Sequence, residues 1–287
     1  YDTAGYSLVV QNGQLIGSLY RNGTTATVTY NVSSYTGWHH VALYFNGQYL
    51  RLYTDGSLRS TNNAGATYSI GYNPLLNVFI GASPVDTSNF LNGVIDEIRI
   101  WSTARTISTS SVHYEVLPTT TGLIAYYRLN QGIAGYDNTS ITEIVDLTSN
   151  SLNGFLNNFL LTGSTSNFVE GKALKPINTS SSLTPIDNQL TQFTISWIRP
   201  GENKGGNGVK VFVREGVTSG SAAPVDGTDY NANSIFKSGD QIGTTGWYCV
   251  YDGNDTFTTV YGLNPSTTYR IHVIEYQELS GQPIRYS

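Results

Sequence analysis

Residues 91–101 read LNGVIDEIRIW and run at once into Ser-Thr-Ala-Arg at 102–105. Upstream, residues 37–56 read GWHHVALYFNGQYLRLYTDG. Both are alternating runs closed by turn residues. Val41, Leu43 and Phe45 share one face of their run, and Leu50, Leu52 and Thr54 follow across the Asn46-Gly47 turn. Period-2 alternation broken by Asn-Gly or Asp-Gly is the strongest short-range signal for a β-hairpin. Working outward, further runs of this kind fall at 6–11, 14–20, 26–32, 39–45, 50–54, 68–70, 77–80 and 93–101, with Gly or Asn at nearly every break. Such spacing predicts an antiparallel sandwich or barrel rather than an α/β fold. One short helix is expected around 106–115, with Thr103 or Thr106 as its cap.

Composition narrows the class further. Charged residues make up 12% of the 287, about half the usual share for soluble domains. Thirty Gly and 21 Tyr, with abundant Thr, Ser and Asn, take their place, which suits extracellular all-β modules rich in turns. A net charge of −5 without a Lys/Arg cluster argues against nucleic acid or an anionic membrane as partner. No apolar run approaches the ~20 residues of a membrane span. Cys249 is alone, so no intrachain disulfide forms, and its alternating surroundings predict a buried structural thiol. That fits a secreted bacterial protein better than a secreted animal one. The chain opens on Tyr1 and contains no Met, so it reads as an internal piece of something longer. Five N-x-Ser/Thr sequons, at Asn22, Asn31, Asn138, Asn178 and Asn254, are glycosylation acceptors if the source is a eukaryote, and chance explains them at least as well in a chain this rich in Asn and Thr.

Taken together, the W-x-HVA strand, the LY-x-DG hairpin, Phe79-Ile80-Gly81 and the G-x-IDE-x-RIW strand ending in Ala-Arg resemble the laminin-G-like, concanavalin-A-like jelly-roll family. The resemblance implies a β-sandwich whose relatives more often bind glycans, proteins or calcium than catalyse. It covers 1–117 directly. Residues 122–171 add GLIAYYRLNQG, VDLTSNSLNGFLNNF and GSTSNFVEGKAL, which in this family open the domain rather than close it. Either 118–175 fold back to complete the sandwich of 1–117, or they belong to an interrupted repeat; the first is favoured because no further W-x-HVA or IDE strand follows. The first domain is therefore set at 1–175.

From about residue 181 the pattern changes, and a second, smaller sandwich is expected over 182–287. Residues 194–200, 210–216, 258–276 and 283–287 read as its strands. Leu263-x-Pro265-x-Thr267-x-Tyr269 resembles the tyrosine corner of immunoglobulin-like and fibronectin type III domains. Trp197 falls where such domains keep a core Trp. The segments SAAPVDGTDYNANSIFKSGDQIG and GWYCVYDG resemble a fibronectin variant of large secreted Bacteroidetes surface proteins.

No catalytic constellation emerges. His39 and His40 sit inside a strand with no Ser or Cys nucleophile motif, His113 and His272 lack Cys or His partners at metal-ligand spacing, and H-E-x-x-H, G-x-S-x-G and phosphate-loop motifs are absent. Asp96-Glu97 are adjacent, and adjacent strand residues point to opposite faces, so they cannot flank one glycosidic bond. For calcium, a hard cation seeking six to eight oxygens, the resemblance implies Asp96, Asp146 and the Asn150 carbonyl as ligands of a structural Ca²⁺. The alternative is that Asp146 caps its own turn. Tyr35, Tyr72 and Tyr136 occupy loop-like settings and are the candidate glycan contacts. The functional expectation is a non-catalytic adhesion and carbohydrate-binding region of a large secreted bacterial cell-surface protein, its partner a glycan, a cell-surface polysaccharide or another surface protein. The alternatives are an accessory binding region of a polysaccharide-degrading enzyme and a structural spacer in a surface stalk.

Overall fold

The computed structural model describes residues 4–21, 23–66, 68–82, 90–109, 111–172, 174–176, 180–200, 206–217, 220–278 and 282–287. Among these the chain is all β, relieved by a single 3-10 turn at Ser111–His113. It divides into two compact units. One comprises Tyr1–His113 and Pro118–Gly171, the other Tyr114–Leu117 and Lys172–Ser287. Residues after Pro118 thus group with the first strands.

The first unit opens with a meander of β1 (Ala4–Gln11), β2 (Gln14–Arg21) and β3 (Thr24–Asn31). A second meander follows: β4 (Val41–Phe45), β5 (Tyr49–Thr54) and β6 (Ser57–Asn63). The β4–β5 register sets Leu43 opposite Leu52 and Phe45 opposite Leu50, the pairing that alternation around Asn46-Gly47 demands. Leu15, Leu19, Ala26 and Val28 from one sheet meet Leu50 and Leu52 from the other in one core. The sheets approach so closely that a Cβ at Gly17 would lie 2.3 Å from the Leu43 side chain. Any larger residue there would displace the Leu43 side chain. β7 (Ile98–Trp101) pairs antiparallel with β8 (Leu123–Tyr127), Ile98 facing Tyr127, so the IDE strand finds its partner beyond Pro118. Arg105 lies 3.8 Å over the Trp101 ring, a cation–π contact that holds the strand's end. Two short strands complete the unit, β9 (Glu143–Ile144) and β10 (Gly154–Phe155).

Several elements depart from expectation. Residues 68–70 and 77–80 are not strands, whereas β6 is. Residues 93–97 lie outside β7 because Glu97 adopts a left-handed φ of 55°, which no ladder continues. In place of a helix at 106–115 there is only the turn at Ser111–His113. The Ser108 and Ser111 hydroxyls each accept the other residue's N–H at 3.2 and 3.0 Å, competing with the helical ladder.

The second unit contains β11 (Ser181–Asn188), β12 (Gln192–Ile198), β13 (Gly208–Glu215), β14 (Tyr248–Gly253), β15 (Phe257–Tyr261), β16 (Tyr269–Gln277) and β17 (Arg285–Tyr286). These form a β11-β12-β15 sheet and a β14-β13-β16-β17 sheet. Between them Val209, Val211 and Val213 pack with Phe193, Ile195, Trp197 and Val260. The other face of β13 is buried too. There Phe212 joins Ala222, Tyr230, Ile242, Trp247 and Cys249, drawn largely from the β13–β14 connection. Lys210 shares that face, fully buried, its ammonium 2.8 Å from Asp229 and 2.7 Å from Asp252 while donating to the Tyr230 carbonyl. Burial would lower its pKa, but the two carboxylates outweigh that and raise it. The tyrosine corner is present: the Asn264 N–H donates to the Tyr269 hydroxyl at 2.9 Å.

Candidate functional site

The sequence offered two kinds of site, a cation turn and exposed aromatics. At the turn, Asp146 is buried and accepts four hydrogen bonds. Oδ1 takes the N–H groups of Tyr126 (2.9 Å) and Thr148 (3.0 Å); Oδ2 takes the Thr148 hydroxyl (2.8 Å) and the Leu152 N–H (3.0 Å). Burial pushes its pKa up, but these donors hold it below the usual carboxylate value. The Asn150 amide nitrogen donates to the Ile124 carbonyl at 2.7 Å, tying the turn to β8. Both oxygens of Asp146 are thus engaged by N–H and O–H donors. That geometry favours a turn cap over shared ligation of a cation, which would need the same lone pairs.

Asp96 has different partners. Its Oδ1 accepts the Glu97 N–H at 2.9 Å, and its carboxylate lies against Gly171, where a Cβ would fall 2.3 Å from Oδ2. Since Glu97 is left-handed and outside the strand, strand alternation does not apply to this pair; Glu97 is instead consumed structurally. It binds Arg99 (2.9 Å), Arg128 (3.2 Å) and the Tyr126 hydroxyl, clamping β7 to β8. Burial first, then the Glu97 charge, raises the Tyr126 pKa. Among the described residues no group of three or more His, Cys, Asp or Glu is placed to hold a metal.

The three aromatic candidates part company. Tyr35 is packed. Its ring stacks on His39 at 4.1 Å, and its hydroxyl shares a 2.8 Å hydrogen bond with Thr54. His39 is itself fixed by Asp55 at 2.8 Å. Tyr72 is 86% exposed, just ahead of the Asn73 turn, whose side chain accepts the Leu75 N–H. Tyr136 is 69% exposed, and its backbone is fixed from below.

That fixing comes from Asn138 and Asn167. Asn138 is 3% exposed. Its Oδ1 accepts the Ile133 N–H at 2.8 Å, and its Nδ2 reaches the carbonyls of Ile133 and Tyr136 and the Asn167 side chain. Asn167 in turn donates to the Tyr136 and Gly163 carbonyls, both at 2.8 Å. Two backbone bonds, Gly135 N–H to Phe168 and Asn138 N–H to Leu161, join the loops. A Cβ at Gly132 would strike the Phe168 ring at 2.3 Å, so Gly is required where the loops cross. Next in the chain, Asp137 accepts the Thr139 hydroxyl and N–H, which hold its carboxyl below the usual range. Exposed Ile133, Phe159 and Leu160 lie on the same tethered loops.

The sequence singled out Tyr136 by its loop-like setting but not the asparagines that bond to its backbone carbonyl. The signal was present in the DNTS stretch at 137–140, read only as a glycosylation sequon. Asn138 is in fact buried, its amide spent on carbonyls. Of the other sequons, Asn31 caps the turn to Ser33 and Asn254 accepts from Arg199, while Asn22 and Asn178 lie outside the described residues.

The chain is therefore an all-β protein of sandwich-like sheets, and comparison places its first part. Residues 2–109 match the family model Laminin_G_3, the concanavalin A-like lectin/glucanases superfamily. No curated protein matches the chain. Among solved structures, domains A168-A170 of titin match at 10% identity over 98% of this chain and 78% of that one, with a TM-score of 0.25, too low to inform the fold. No helix among the described residues is long and apolar enough to cross a membrane.

Proposed function

We propose that this chain is a non-catalytic carbohydrate-binding and adhesion region of a large secreted bacterial surface protein, and that it holds glycan at the Tyr136 loop. The observation carrying this reading is a solvent-facing Tyr whose backbone is immobilised by a buried Asn. An aromatic ring offers an apolar face to the C–H side of a sugar ring, and its fixed mounting reduces the ordering cost of binding. Asp137, the next residue, is held ionised and supplies an acceptor for sugar hydroxyls. The match of residues 2–109 to a superfamily of lectins and glucanases supports the ligand class.

The test is affinity electrophoresis against a panel of bacterial and plant polysaccharides, with calcium and with a chelator. Tyr136→Ala should lower affinity about tenfold or more while leaving the melting temperature nearly unchanged, since the ring is exposed. Tyr136→Phe should retain most of the binding. Retardation by no polysaccharide, or retardation indifferent to Tyr136→Ala, would refute the reading. Comparing the calcium and chelator arms reads any part a cation takes at Asp96 and Asp146.

A further inference from the structure

The loops that carry Tyr136 hold charge of one sign. Between Arg128 and Lys172 the chain contains Asp137, Glu143, Asp146 and Glu170 and no Lys, Arg or His. Asp146 is buried under four donors, and Glu143 accepts the Asn153 amide at 3.0 Å. Asp137 is spent differently. It is exposed, and both of its Thr139 bonds, at 3.0 and 2.7 Å, fall on Oδ1. No described residue bonds to Oδ2, which stays open to solvent.

This carboxylate is also fixed in place. On one side the Tyr136 carbonyl accepts from Asn138 and Asn167; on the other Asn138 is buried. The Tyr136 and Asp137 Cα atoms are ~3.8 Å apart across their peptide bond. A glycan seated on Tyr136 therefore lies about one Debye length, ~8 Å at physiological ionic strength, from a fixed negative charge. A uronate or sulfate on that glycan is repelled, and a hydroxyl gains an ordinary hydrogen bond. An ammonium gains a charge-assisted bond to the carboxylate, and it is also drawn to the face of an aromatic ring. Of the charged groups a sugar carries, it alone is attracted by both side chains.

We propose that the Tyr136 loop selects glycans carrying free amino sugars, with Asp137 Oδ2 accepting from the sugar ammonium. This rests on the reading of Tyr136 as a glycan contact and narrows its ligand to a cationic polysaccharide.

The probes are a β-1,4-linked glucosamine hexasaccharide, the same oligosaccharide N-acetylated, and an oligogalacturonate of equal length. Each is titrated calorimetrically onto the full chain at mildly acidic pH, where the amines are protonated. The glucosamine oligomer should bind about tenfold more tightly than its acetylated twin, the galacturonate should bind weakest, and added salt should shrink the differences. Asp137→Asn should erase the preference for the amine, whereas Glu170→Gln, on the same loops, should preserve it. Equal affinity for the first two oligomers, a preference that survives Asp137→Asn, or an equal loss in Glu170→Gln would overturn this inference and leave the glycan reading standing. Binding of no oligomer, or binding indifferent to Tyr136→Ala, would remove both.

Discussion

The two units solve the same problem, covering sheets with few charges, to different degrees. In the second unit β13 is buried on both faces: valines fill the space between the sheets, and Phe212 and Lys210 lie under the β13–β14 connection. In the first, the buried cluster between the two meanders is six side chains, with Leu123, Ala125, Tyr126 and Tyr127 of β8 buried outside it, while Tyr72, Leu75, Val78, Phe79, Phe90 and Val94 are exposed. The contrast shows what a connection can do. The described residues 220–247 contain no named strand, yet Ala222, Tyr230, Ile242 and Trp247 pack over Phe212 and Cys249, and Lys210 bonds Asp229 and the Tyr230 carbonyl there. The 69–94 segment of the first unit lacks any such buried anchor among its described residues.

The largest expected effect tests whether that second core is as strong as its burial. Phe212→Ala empties a fully buried site packed edge-on against Tyr230 at 5.5 Å. It should cost about 3–5 kcal/mol, read as an earlier denaturant midpoint for the second unit alone. A loss confined to a few tenths would mean that the connection is decoration.

Acid should discriminate the units next. Burial, then the Arg99 charge, lowers the His40 pKa from 6.5 to about 4, and its Nδ1 is buried without a partner. The unfolded chain binds a proton below pH 6.5 that the folded one refuses, so stability is full above that value and falls as pH drops toward 4. The loss is on the order of 2–3 kcal/mol and belongs to the first unit. His40→Gln should flatten the profile between pH 6.5 and 4; an unchanged slope would assign it to other groups.

A smaller effect separates a turn cap from a cation ligand. Asp146→Ala strips acceptors from four donors and should cost roughly 1–3 kcal/mol, equally in calcium and in chelator. A deficit that appears only with calcium would restore the shared-ligation reading.

Much of the fold was legible in the sequence because alternation was clean where burial is one-sided. The β4–β5 register, with Leu43 opposite Leu52, follows from the pattern around Asn46-Gly47, and the tyrosine corner follows from Leu263 to Tyr269. β6 was not legible: SLRSTNN pairs through its backbone, and its residues are exposed or half-buried with no apolar stripe. Nor was the kink at Glu97, since left-handed φ in a non-glycine residue leaves no mark in composition. At the site, local turn chemistry pointed to Asp146 and Tyr136. The mounting of Tyr136 depends on Asn138 meeting Asn167, and a contact across that separation cannot be read from spacing.

Cys249 carries one more consequence. It is fully buried in the outer core beside Trp247, and burial pushes its thiol up to about 12. At neutral pH almost none of it is thiolate, the form that reacts. A chain whose sole sulfur is so sheltered has its own clock: an alkylating reagent advances only when the packing of Ala222, Tyr230, Ile242 and Trp247 around Cys249 opens, so the labelling rate counts those openings with no added dye or tag.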